Sequence, residues 1–189
     1  MIDRLCNEIA NSGLLSDIEV GDGIVVGRAR VRAAGADVWV NVDPELEEEE
    51  APDPAVLVRG IQRILDVSPE QWRVIVDEVV DEIEAAVGDE PVNETTPLRA
   101  DLALKSVVVF ASATLLRFEA PRQFPDSWIH VQLDEALAFE DLAVDARDPD
   151  AQTVSFDTLD DLLDHISAED PAQASPGSPQ AGPAAQRKK

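Results

Sequence analysis

The chain has 189 residues, 39 of them Asp or Glu against 15 Lys or Arg, for a formal net charge of −24, and 44% of it is hydrophobic. A surface so acidic repels nucleic acid, anionic membranes and phosphorylated substrates and attracts basic partners. With two His, one Cys and no Tyr, it offers little for nucleophilic or metal-assisted catalysis, yet its apolar content is too high for an acidic disordered chain.

The charge is unevenly laid out. Residues 1–42 hold six acids and four bases, a net of −2, so −22 lies beyond them. Cys6 has no partner for an intramolecular disulfide. The segment Met1–Glu8 carries charges where a signal peptide needs an apolar run. The longest apolar stretch, Val107–Leu116, falls short of the about 20 residues of a membrane span. A cytoplasmic protein without membrane contact is expected.

Residues 2–15 predict a short amphipathic helix, with Ile2, Leu5, Cys6 and Ile9 on one face and Asn11-Ser12-Gly13 as a stop. Three antiparallel strands follow, Asp17–Val20, Ile24–Ala33 and Asp37–Val42, with turns at Gly21-Asp22-Gly23 and Ala34-Gly35. Alternation puts Arg28, Arg30 and Arg32 on one face, and Val38, Val40 and Val42 together on a face away from Trp39. Residues 43–54 form an acidic loop with three prolines, where mobility is expected.

Asp53-Pro54 and Ser68-Pro69 each place a cap residue before proline at the first helical position. Leu57, Ile61, Ile64 and Leu65 make the apolar face of the first helix. Trp72, Ile75, Val76, Val79, Val80, Ile83 and Val87 make that of the second, which ends at Gly88. Asp53–Val87 thus predicts a helical hairpin or one kinked helix. After a loop at 89–98, strands are expected over Leu102–Phe110, Ala113–Ala120 and Trp128–Asp134, the first of them central because it is apolar on both faces. Residues 135–147 fit either a short helix or an extended piece. Leu159, Leu162, Leu163 and Ile166 predict a last helix over Phe156–Ile166, and the Pro/Ala/Ser/Gln-rich residues 167–189 a disordered tail.

The expected architecture is therefore a single α+β domain over residues 1–166. Two antiparallel β-meanders, joined or separate, pack against a central helical hairpin, with N-terminal and C-terminal helices at the ends.

No zinc spacing, haem attachment motif, phosphate-cradling glycine loop or nucleophile elbow is present. The run Glu47–Glu50 lacks the alternating acids and the glycine of a calcium loop and reads as solvated. No metal, cofactor or catalytic residue is expected. His130 with Asp134 or Glu135 is the one enzyme constellation to weigh, and it lacks a nucleophile or an orienting acid beyond that shared face. His165, near the end of the last helix, suits the helix dipole, and Cys6 reads as a small buried hydrophobe.

Asp77, Glu78, Asp81 and Glu82, with Glu84, line the polar face of the second helix, and no base lies between Val74 and Arg99. Like charges four apart oppose each other by roughly 0.2–0.5 kcal/mol per pair. That face, with Trp39 as a contact aromatic if its strand face is wet, is the candidate partner-binding surface. The arginines of residues 28–32 would pair with the chain's own acids or with a second copy, which leaves a homodimer open; no aromatics are interleaved with them for base stacking.

The segment Ser106–Glu135 resembles small acidic bacterial proteins, a likeness that brings no function. The element order is also similar to that of type III secretion chaperones, which implies a homodimeric, non-enzymatic protein; the helix pair and the length depart from that pattern. The leading expectation is a non-catalytic acidic module that binds a protein with a basic surface and acts as a chaperone-like, inhibitory or adaptor protein. A small enzyme using carboxylates with His130, or a fold acidic only for solubility, is the alternative.

Overall fold

Seven strands in sequence order, β1-β2-β3-β4-β5-β6-β7, form one sheet in the computed structural model, which describes residues 1–45, 52–88 and 94–147. The strands are β1 (Ser16–Gly21), β2 (Ile24–Val31), β3 (Ala36–Val42), β4 (Ala103–Val109), β5 (Ala113–Ala120), β6 (Phe124–Asp134) and β7 (Phe139–Ala146). Every neighbouring pair is antiparallel except β3 and β4. The two expected meanders are thus β1–β3 and β4–β7, and the parallel pairing of Trp39–Val42 with Ser106–Val109 joins them. A parallel neighbour needs a crossover connection. Here it is α2 (Pro54–Leu65), α3 (Pro69–Val87) and the single turn α4 (Leu98–Asp101).

The helix ends follow the sequence signals. Asp53 accepts the N–H of Ala55, and Ser68 accepts that of Gln71. The first helix, α1 (Ile2–Ser12), is three residues shorter than the apolar pattern suggests. Gly13 takes a left-handed conformation (φ 66°) and its N–H caps Ala10 O, which frees Leu15 to turn into the core.

The helices lie on one face of the sheet. Val25, Val31, Val38, Val40, Val42, Val107, Val109, Leu116, Phe118, Ile129, Val131 and Leu133 are buried beneath Leu5, Ile9, Leu57, Ile61, Ile64, Ile75, Val79 and Ile83. The neighbours of α2 are α1, β2 and β4, whereas α3 lies by α4 and β7. The alternate positions of each strand face away from this core, and no described helix covers them.

Two further elements depart from the sequence expectation. Leu98–Asp101, between the loop expected at 89–98 and the strand expected from Leu102, is one helical turn; four residues have no amphipathic period to read. Strand β6 starts at Phe124 rather than Trp128, and Pro125 fits there because β7 pairs only from Ser127 onward. Of the two alternatives for residues 135–147, the extended one holds: residues 139–146 form β7 at the end of the sheet, and its Glu140, Asp141 and Asp145 are exposed. Part of the acidity thus charges an edge with no neighbour among the described residues, which discourages sheet-to-sheet aggregation. The expected helix at 156–166, the tail at 167–189 and Glu47–Glu50 lie outside the described residues; Met1–Asp148 is one compact unit. No described helix is long and apolar enough to cross a membrane.

Candidate functional site

The carboxylates of α3 sit where the helical period puts them. With Ile75, Val79, Val80 and Ile83 buried in the core, Glu78, Asp81, Glu82 and Glu84 are exposed on the outer side. None of these four makes an ion pair with a described residue. Asp77 differs. It is half-buried and paired with Arg99 of α4, so the first base after Val74 relieves it and ties α4 to α3. The outward acidic face is therefore Glu78, Asp81 and Glu82, with Glu84 at its margin.

Trp39 is on the other side of the molecule. Val38, Val40 and Val42 face the helices, so Trp39 points from the open face and is 43% exposed. The structure does not bring Trp39 and the α3 acids together; they belong to two surfaces.

The open face has its own chemistry. Cross-strand pairing sets Arg28 opposite Trp39 and Arg30 opposite Asp37. The Arg28 guanidinium lies 4.8 Å from the centre of the Trp39 ring, and Arg30 Nη1 is 2.7 Å from Asp37 Oδ2. Two of the three arginines are thus held by neighbours on the same sheet, not by the helices. The row continues through Ser106 and Arg117 to His130. Trp128 has the Arg117 guanidinium 4.4 Å and the Arg147 guanidinium 4.0 Å from its ring centre. Such stacking contributes about 0.5–1 kcal/mol when exposed and about 2 when desolvated.

Glu119 anchors this network, with Oε2 2.8 Å from Lys105 Nζ and Oε1 2.8 Å from Arg147 Nη2. Burial pushes its carboxyl up. The hydrogen bond and charge of Lys105, and the charge and hydrogen bond of Arg147, outweigh burial and hold it below its ordinary value. The sequence shows no aromatic interleaved with an arginine because these contacts are made across strands. The alternation Thr114, Leu116, Phe118 against Arg117, Glu119 was the available signal; the register was not.

His130 is half-buried on the open face, with Nε2 3.7 Å from Asp145 Oδ2. Asp134, its expected companion, instead accepts the N–H groups of Ala136 and Ala138 through Oδ1 and holds the β6–β7 turn. Glu135 is exposed, and its backbone carbonyl accepts a hydrogen bond from Arg63. The structure thus does not bring His130, Asp134 and Glu135 into one constellation. Cys6 is half-buried and packs against the core. Among the described residues, no group of three or more His, Cys, Asp or Glu is arranged to hold a metal ion.

The chain matches no protein-family model, no curated protein and no solved structure.

Proposed function

We propose that this protein is a non-catalytic cytoplasmic binding module that engages a protein with a basic surface through the outer face of α3. The observation that carries this reading is the set Glu78, Asp81, Glu82 and Glu84, exposed on one rigid helix and unpaired among the described residues. Carboxylates fixed on a packed helix present their charge at little entropic cost, and a field of one sign speeds encounter and weakens with salt. Asp77 serves the fold through Arg99 rather than the partner. Trp39 lies on the opposite surface, so a partner that uses both must wrap an edge of the sheet.

The test is affinity capture of the tagged protein from the cells that make it, at low and then moderate salt, read by mass spectrometry. A stoichiometric basic partner released by salt is expected. Binding indifferent to ionic strength contradicts the reading, and raised stability in molar salt with no partner favours acidity that serves solubility alone.

A further inference from the structure

A second site lies at the end of the sheet where β3 and β4 part. Their pairing covers only Trp39–Val42 and Ser106–Val109. Before it, the β4 ladder to β5 shifts register between Leu104 and Ser106, which leaves Lys105 as the extra residue. A bulge bends its strand. Ala36–Val38 and Ala103–Lys105 therefore have no ladder partner in each other, and the gap opens into a cavity of about 500 Å³ below the first turns of α3. That volume is in the range of small-molecule sites, roughly 300–1,000 Å³.

The lining is of two kinds. Half-buried Trp72 and Val76 make its apolar surface, backed by the buried Leu104 and Phe118, with the Trp72 and Phe118 rings 5.9 Å apart and tilted by 32°. Arg73 and Arg99 supply the charge, and among the described residues no Asp or Glu lines the cavity. In a chain of net −24, a cavity lined by guanidiniums stands out. Arg99 is held by Asp77, whereas Arg73 is exposed and makes no ion pair with a described residue. Arginine recognises carboxylates through a planar fork of donors.

We propose that this cavity binds a small molecule with one carboxylate on an apolar body, the carboxylate on Arg73 and the body over Trp72 and Val76. The site is separate from the outer face of α3 and does not depend on the partner proposed for it.

The experiment is titration of the full ¹⁵N-labelled chain with benzoate, benzyl alcohol and N-acetylphenylalanine, followed by amide and indole resonances. Benzoate is expected to shift the Gly35 amide and the Trp72 indole saturably, with benzyl alcohol at least about tenfold weaker. Arg73→Gln should weaken benzoate by about tenfold and leave the alcohol unchanged. Ala103→Phe, at an exposed position lining the mouth, should abolish both while the β5–β6 amides keep their shifts. Equal binding of benzoate and benzyl alcohol, or no saturable shift at Gly35 and Trp72, overturns the proposal. N-acetylphenylalanine, which also carries one carboxylate on an apolar body, is expected to bind saturably and to weaken in Arg73→Gln as benzoate does; binding of either acid that is indifferent to that substitution overturns the proposal.

Discussion

Gly60 of α2 lies so close to Val109 of β4 that a β-carbon at position 60 would be 2.7 Å from Val109 Cγ1. That approach seats the crossover helix on the strand that joins the two meanders. Gly60→Ala gains up to about 1 kcal/mol of helix propensity but must push Val109 aside, and overpacking typically costs about 1–3 kcal/mol. Urea denaturation should show a net loss of stability. Val109→Ala in the same chain should make Gly60→Ala less costly, a coupling expected for residues in contact.

Asp101 is buried, and its Oδ2 accepts the backbone N–H of Arg122 at 2.8 Å and of Gln123 at 3.0 Å. It fastens the β5–β6 turn to α4. Asp101→Ala leaves both donors without that acceptor, at about 1–3 kcal/mol for each that water does not reach. Asp101→Asn retains an acceptor and should recover part of the loss. Thermal unfolding of the two variants against the parent checks this order.

The lowered pKa of Glu119 sets a direction with pH. Its folded value lies below the ordinary 4.5, so the unfolded carboxyl binds its proton first as pH falls. The stabilisation is complete above the ordinary value and is lost as pH drops through the lowered one. Glu119→Gln should cost about 1.5–3 kcal/mol at neutral pH, the range for hydrogen bonds to charged groups. That difference should shrink below about pH 4, as denaturant titrations across the range would show.

On α3 the carboxylates should divide by role. Replacing Glu78, Asp81 and Glu82 by their amides relieves the Asp77/Asp81 and Glu78/Glu82 repulsions, by roughly 0.2–0.5 kcal/mol per pair. The triple variant should be as stable as the parent or slightly more so. Asp77→Asn loses the charge that holds Arg99 and should be less stable, while its partner affinity changes little. Melting temperatures separate the two cases.

Much of this fold is legible where a local rule applies. Asp53-Pro54 and Ser68-Pro69 mark helix starts through capping chemistry, and the alternating valines of residues 38–42 mark a half-buried strand. The acidic face of α3 follows from the same periodicity. What no local rule supplies is which side of the sheet the helices cover. That is why Trp39 could be grouped with α3 from the sequence although the two occupy opposite surfaces. The Arg28–Trp39 and Arg117–Trp128 stacks, the Lys105–Glu119–Arg147 network and the cavity at Arg73 depend on register, a bulge and a parallel pairing between residues far apart in sequence. Asp134 shares a strand with His130, as its spacing predicts, but is taken up by the turn that follows.

The most direct test of the binding account is the affinity of the captured partner for the parent chain and for the triple variant Glu78→Gln, Asp81→Asn, Glu82→Gln, each at low and moderate ionic strength. The account predicts that the variant binds at least about tenfold more weakly at low salt and that its affinity responds less to salt than the parent's. Equal affinity of the two chains, with equal salt dependence, would contradict it.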